Sequence, residues 1–167
     1  VSICGSHDAR TRASGLYDED VAQPSDLRCP YLRAAFEILP PPGPVSVEVR
    51  SEVRPGAGLG GSGAFLNALC AALSVARGNA PTPVDLAETT SWIEINRLAC
   101  KVGKQDHYLS ALGGCHLLSI DRDLSAQAAA LSLGPKTARY IADHLLLFDT
   151  GISRSASQVL SAQDHNL

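Results

Sequence analysis

Pro55-Gly56-Ala57-Gly58-Leu59-Gly60-Gly61-Ser62-Gly63-Ala64 places five glycines in eight positions and runs directly into Phe65-Leu66-Asn67-Ala68-Leu69-Cys70. Glycine lets the backbone turn so that several N–H groups converge on an anion. A helix start adds unsatisfied N–H groups and the positive end of its dipole. Ser62 contributes a hydroxyl that can bond a phosphate oxygen or a magnesium ion. The stretch reads as a phosphate-cradling loop entering a helix. The plainer alternative is a turn that only lets a strand pack closely on a helix, and the glycine density with a Ser at the helix start weighs against it.

Phosphate-binding loops come in several kinds, and two can be tested on the residues. A P-loop requires Gly-Lys-Ser/Thr, and no Lys lies in this stretch. A dinucleotide fingerprint is met to the letter by Gly56, Gly58 and Gly61. That pattern also needs a second parallel strand soon afterwards, ending in an acid for the ribose. Here Gly78-Asn79-Ala80-Pro81-Thr82-Pro83 leads instead into another helix, with Asp85 in its first turn. A dinucleotide-binding oxidoreductase stays as a lesser alternative, which a strand ending near Asp85 would restore.

Working outward, Val45-Ser46-Val47-Glu48-Val49 alternates as a half-buried strand should and continues toward Val53. Before it, Tyr31 to Leu39 has the spacing of a short helix, stopped by Pro40-Pro41-Pro42-Gly43-Pro44. Residues 1 to about 30 carry scattered Gly, Pro and charges, and predict irregular chain with one short strand. After the loop, Ser62 to Arg77 is apolar nearly all round, as a helix buried on most sides is, and Gly78-Asn79 closes it. Thr82 as cap, Pro83 in the first turn and Asp85 begin the next helix. It is expected to run to about Cys100, with Trp92, Ile95 and Leu98 on its inner face. A shorter helix spans Gln105 to Leu112, ended by Gly113-Gly114, and strands follow at Cys115 to Ile120 and His144 to Asp149. The class is α+β.

The 167 residues suffice for one domain with a core, or one domain and part of a second. A net charge of −3 and three Phe, four Tyr and one Trp give no basic, aromatic surface for nucleic acid. The longest apolar run, Leu145-Leu146-Leu147-Phe148, is far too short to span a membrane. Five scattered cysteines form no Cys-x-x-Cys pair, so zinc has little support. Reduced thiols and a cytoplasmic setting are expected, with Cys70 and Cys115 acting as small hydrophobes. The start at Val1 and the end in a barely begun helix suggest a segment of a longer protein.

Three stretches in order carry a family resemblance. Pro55 to Ala64 resembles the Pro-x-x-x-Gly-Leu-Gly-Ser-Ser-Ala loop of the GHMP kinases. Glu94-Ile95-Asn96-Arg97, Val102-Gly103-Lys104-Gln105-Asp106-His107-Tyr108 and Ala111-Leu112-Gly113-Gly114 resemble the Gly-Lys-Gln-Asp-Gln-Tyr block of the sugar-kinase branch that includes D-glycero-D-manno-heptose 7-phosphate kinase. Leu145 to Ser157 is similar to that branch's strand-to-helix segment. The resemblance implies an α+β fold with an N-terminal domain of the ribosomal protein S5 domain 2-like type. Residues 1–135 would form a partial N-terminal nucleotide-binding domain, and 136–167 the start of a C-terminal domain, truncated at both ends.

The resemblance also implies ATP and Mg2+ and a sugar or sugar phosphate acceptor, with heptose 7-phosphate phosphorylated at its anomeric hydroxyl the leading candidate. Pro55, Gly56, Ala57, Gly58, Leu59, Gly60, Gly61, Ser62 and Gly63 would hold the ATP phosphates, and Ser62 and Glu94 the magnesium. Without the loop, Glu94 reads as a solvated helix charge. Asp106 would orient or deprotonate the acceptor hydroxyl, and Lys104 would stabilise negative charge or keep Asp106 ionised. By themselves these residues are a polar helix start. His107, standing for a Gln, reads as lining or surface. Ser153 and Arg154 would meet the substrate's anionic group, or serve only as a cap and a solvated charge.

Departures are present too. Gly61 replaces the first of the family's paired Ser and Gly63 follows the second, which is expected to loosen the loop. An Arg-Ala-Pro-x-Arg strand, a Gly-Gly-x-Thr-Asp turn and the glycine-rich third motif have no match. A non-catalytic nucleotide- or sugar-binding fragment is the alternative these absences support.

Overall fold

The computed structural model describes residues 1–5, 10–15, 17–53 and 55–152. It opens with three short strands, β1 (Ser2–Gly5), β2 (Thr11–Gly15) and β3 (Glu19–Val21), where irregular chain and one strand were expected. These segments lack a strong period of their own. Their conformation comes from pairing with β4 (Val45–Val49) and with each other, in the order β1-β4-β2-β3. β4 runs antiparallel to β1 and parallel to β2, and β3 closes the edge antiparallel to β2.

The alternation in β4 sorts its faces. Val45, Val47 and Val49 are buried, while Ser46 and Glu48 between them stay partly exposed. Each buried Val is worth about 1.5–3 kcal/mol. The helices α1 (Pro30–Ile38) and α2 (Gly61–Ala76) cover the valine face with Leu32, Ala35, Phe36, Leu66, Leu69, Cys70 and Leu73. Burial pushes the Cys70 thiol up to about 12, so it acts as the small hydrophobe expected. α2 ends as its sequence predicts: Gly78 takes φ +77° and Asn79 N–H donates to Ser74 O at 2.9 Å.

α3 (Pro83–Trp92) starts on the Thr82 cap, whose hydroxyl accepts from Asp85 N–H at 3.2 Å. Asp85 lies in the first turn of this helix, so the strand a dinucleotide fold would need there is not formed. The helix continues as a π-helical turn over Ile93–Arg97, with Leu98 N–H donating to Ile93 O at 2.9 Å. Of the expected inner residues Leu98 packs partly buried against the core, but the main inner face differs. Ala87, Thr90, Ser91 and Glu94 form the buried i, i+3, i+4, i+7 stripe, joined by Ile93, while Trp92 is 48% exposed. Small and polar residues face inward where α3 packs closely against α2 and α4 (Gln105–Leu112), while Ile93 reaches the apolar core.

β5 (His116–Ile120) and β6 (Ala126–Ala130) make a two-stranded antiparallel hairpin, followed by α5 (Pro135–His144). Cys115 lies just before β5 and is exposed, not packed as a hydrophobe. The strand expected over His144–Asp149 is absent: His144 ends α5, and Leu145 to Phe148 are exposed with no ladder partner among the described residues. An apolar run becomes a strand only where another strand offers its hydrogen bonds. Among the described residues no helix is long and apolar enough to cross a membrane.

Candidate active site

The glycine loop adopts positive φ at every second residue from Gly56 to Gly60: +77° at Gly56, +75° at Gly58 and +68° at Gly60. Left-handed residues alternating with ordinary ones turn successive N–H groups into a concave, anion-attracting surface. Gly60 is the N-cap of α2, and no side chain caps that end. The helix's first N–H groups therefore face outward beside the loop, whose residues are mostly exposed.

Close packing sets what stands opposite. A β-carbon built on Gly63 would lie 3.1 Å from Asp106 C, Asp106 Cβ and His107 N, and one on Gly60 3.1 Å from Asp106 Cγ. The first turn of α4 thus rests directly against the loop and the start of α2. Gly63 does not loosen the loop, as its departure from the family pattern suggested. It is the gap into which α4 fits. Asn67, one turn further along α2, donates from Nδ2 to His107 O and to Ser110 Oγ, both at 2.7 Å, and accepts at Oδ1 from Thr90 Oγ1 at 2.6 Å. This buried network ties α2, α3 and α4 together at the level of Asp106.

Glu94 lies beneath, with its side chain 2% exposed, at the π-helical turn. His107 Nε2 is 2.8 Å from Glu94 Oε2, and the Tyr31 hydroxyl donates to Oε1 at 3.1 Å. Ser62 also hydrogen-bonds the carboxylate. Burial alone would raise the carboxyl, but the hydrogen bonds from His107, Ser62 and Tyr31 outweigh it and hold Glu94 below its ordinary value. Burial, reinforced by the Glu94 charge, pushes the Tyr31 hydroxyl well up, so it remains a donor.

Lys104 takes a different place from the one expected. Its Nζ lies 2.8 and 3.1 Å from the two oxygens of Glu88 on α3, and Tyr108 donates to the same carboxylate. Lys104 therefore braces the entry to α4 instead of pairing with Asp106, whose side chain is exposed above the loop.

The structure thus gathers the loop, Ser62, Glu94 and Asp106 around one point, with Lys104 at the margin. Ser153 and Arg154 lie outside the described residues. Sequence reasoning missed Tyr31, Asn67, Glu88 and Thr90, and left His107 as lining or surface, whereas it is buried. The signal for Thr90 and Glu94 was available in the polar 87-90-91-94 stripe; the other contacts come from elements far apart in sequence.

Among the described residues no group of three or more His, Cys, Asp or Glu could hold a metal by itself. A Ser hydroxyl and one carboxylate sharing a hydrogen bond are nevertheless hard oxygen donors of the kind magnesium takes when phosphates and water complete its shell. The residues fit that ion.

Residues 29–114 match the family model described as GHMP kinases N terminal domain. No curated protein matches the chain significantly. Among solved structures, the crystal structure of "a D-glycero-D-manno-heptose 1-phosphate kinase from Bacteriodes thetaiotaomicron" superposes with a TM-score of 0.73 at 17% identity, over 86% of this chain. The chain spans half the length of that protein, 50% of it being covered. At this identity the likeness is one of fold.

Proposed function

The chain belongs to the GHMP kinase family, and from that premise we propose that it carries the nucleotide-binding part of an enzyme transferring phosphoryl from ATP to a sugar or sugar phosphate hydroxyl. The carrying observation is the approach of Asp106 to the glycine loop: its Cγ stands 3.1 Å from where a Gly60 β-carbon would be. An acid over a phosphate cradle, beside a buried carboxylate and a hydroxyl, is the arrangement phosphoryl transfer requires.

In this reading, the N–H groups of the loop and the start of α2 bind and orient the nucleotide phosphates. Ser62 and Glu94 hold magnesium, which when bound neutralises phosphate charge. Asp106 accepts a hydrogen bond from the acceptor hydroxyl, aims its oxygen at the loop and takes its proton during transfer. Lys104, held on Glu88, contributes by bracing the chain that carries Asp106. Residues 1–135 are assigned to the nucleotide-binding domain and 136–167 to the start of a second, with Ser153 and Arg154 as candidates for an acceptor phosphate.

The fold likeness to a heptose phosphate kinase and the Lys104-Gln105-Asp106 block support a heptose 7-phosphate acceptor phosphorylated at its anomeric hydroxyl. The test is a panel of heptose 7-phosphate, galactose, fucose and mevalonate with MgATP, followed by ADP release. Turnover with heptose 7-phosphate above the other three is expected. Turnover with mevalonate alone would overturn the sugar reading. Coverage of only half of the solved relative favours a second reading, nucleotide binding without turnover. ATP binding with no ADP released from any acceptor would select it.

A further inference from the structure

We propose that His107 is a positioning residue whose Nε2–H holds the Glu94 carboxylate toward Ser62 and the glycine loop. This rests on reading Glu94 as a magnesium ligand. The imidazole is 1% exposed and its Nε2 lies 2.8 Å from Glu94 Oε2. An ionised carboxylate only accepts, so the hydrogen of this contact sits on Nε2. Both ring nitrogens are buried and neither makes a hydrogen bond of regular geometry among the described residues, which leaves the 2.8 Å approach of Nε2 to Glu94 Oε2 as the ring's polar contact.

The backbone keeps the ring in place. His107 O accepts from Asn67 Nδ2 at 2.7 Å, and His107 N lies against the open side of Gly63. The ring therefore cannot shift along α4 without disturbing both contacts. From the other side Tyr31 donates to Glu94 Oε1 at 3.1 Å. With His107 against one oxygen, Tyr31 donating to the other and the Ser62 hydroxyl beside them, the carboxylate keeps a fixed direction. Groups that hydrogen-bond a metal-binding carboxylate typically change metal affinity by roughly 10- to 100-fold when removed.

The experiment measures ATP affinity by calorimetry with and without magnesium, on the full chain. In the unmodified protein magnesium should strengthen binding; no gain would overturn the reading of Glu94 and this inference with it. Glu94→Gln should abolish the gain. His107→Leu, which keeps bulk and removes the donor, should cut the gain by roughly 10- to 100-fold while leaving metal-free affinity in place. His107→Gln, whose carboxamide can donate, should restore most of it. If His107→Leu keeps the whole gain while Glu94→Gln loses it, the inference fails and the reading of Glu94 survives. If Glu94→Gln keeps the gain, both fail. Should His107→Leu not fold, nitrogen NMR of His107 in the unmodified chain decides. The Nε2–H tautomer is expected, and an Nδ1–H tautomer overturns the proposal.

Discussion

Helix α4 is gripped at two places by the helix before it, and the grips use the same chemistry in different surroundings. Inside, Glu94 meets His107 with side chains 2% and 1% exposed. Outside, Glu88 meets Lys104 with side chains 44% and 15% exposed, and Tyr108 joins the same carboxylate. In both, burial would raise the carboxyl and the donors around it pull it down. The inner acid must be satisfied on every side, because an unmatched buried polar group costs about 1–3 kcal/mol. The outer pair is largely screened by water and worth about 0–1 kcal/mol. Geometry is therefore set from the inside, and the outer brace trims it. Asp106 lies between the two grips in sequence and over the glycine loop in space.

The comparison matters for function only if the residue between the grips does the chemistry. Asp106→Asn should lower turnover by roughly 10²–10⁴-fold while leaving ATP affinity nearly unchanged. Steady-state kinetics beside calorimetry would check this. Unaltered turnover would mean that both grips position something other than the catalytic acid.

A smaller effect tests whether the inner side sets the geometry. Gly63→Ala places a methyl 3.1 Å from the backbone of Asp106 and His107, which cannot swing aside as a flexible side chain could. A loss of about 1–3 kcal/mol is expected, or roughly 2–12 °C in melting temperature for a chain of this size. Gly61→Ala is the matched control for stability. Its added carbon meets nothing within 4 Å, so its melting temperature should hold or rise. Equal losses at both positions would show that the contact with α4 is not what requires Gly63.

The same inside–outside difference explains how much of the molecule was legible in the sequence. The α+β class, the strand Val45–Val49 and the helices starting at Gly61, Pro83 and Gln105 follow from local signals: alternation, a Thr cap followed by Pro, and glycines at turns. The loop, Ser62, Glu94 and Asp106 were recognisable as a set because their motifs stand in order. Legibility failed where structure depends on a distant partner. β1 and β2 become strands only beside β4. His107 reads as a polar helix residue until Glu94 arrives from the turn after α3. The expectation that Trp92 lies inside failed for a related reason: three helices crossing closely select Ala87, Thr90 and Ser91 at the contact, and Trp92 stays exposed. Lys104 went to Glu88 because an exposed acid two residues away offers less than a carboxylate already fixed by Tyr108. Beyond β6, the apolar run Leu145 to Phe148 has no strand beside it among the described residues, and an apolar run alone does not supply hydrogen bonds.

The smallest expected effect concerns the outer grip and comes with a sign. The native Glu88 carboxyl lies below its ordinary value because the hydrogen bonds from Lys104 and Tyr108 outweigh the opposing effect of burial. A depressed carboxylate adds stability that is complete above its unfolded value, about 4.3, and drains away as pH falls through the lower native one. Glu88→Gln should therefore be less stable than the unmodified chain at pH 7, by no more than about 1 kcal/mol given the exposure of the pair. That difference should shrink as urea titrations are repeated from pH 6 down to pH 3. It should also shrink in high salt at pH 7, since a solvent-facing pair is screened. A difference that grew toward low pH would mean that protonated Glu88 is the form the native state prefers. A difference insensitive to salt would put Glu88 and Lys104 in surroundings as dry as those of Glu94 and His107, and the distinction between the two grips would vanish.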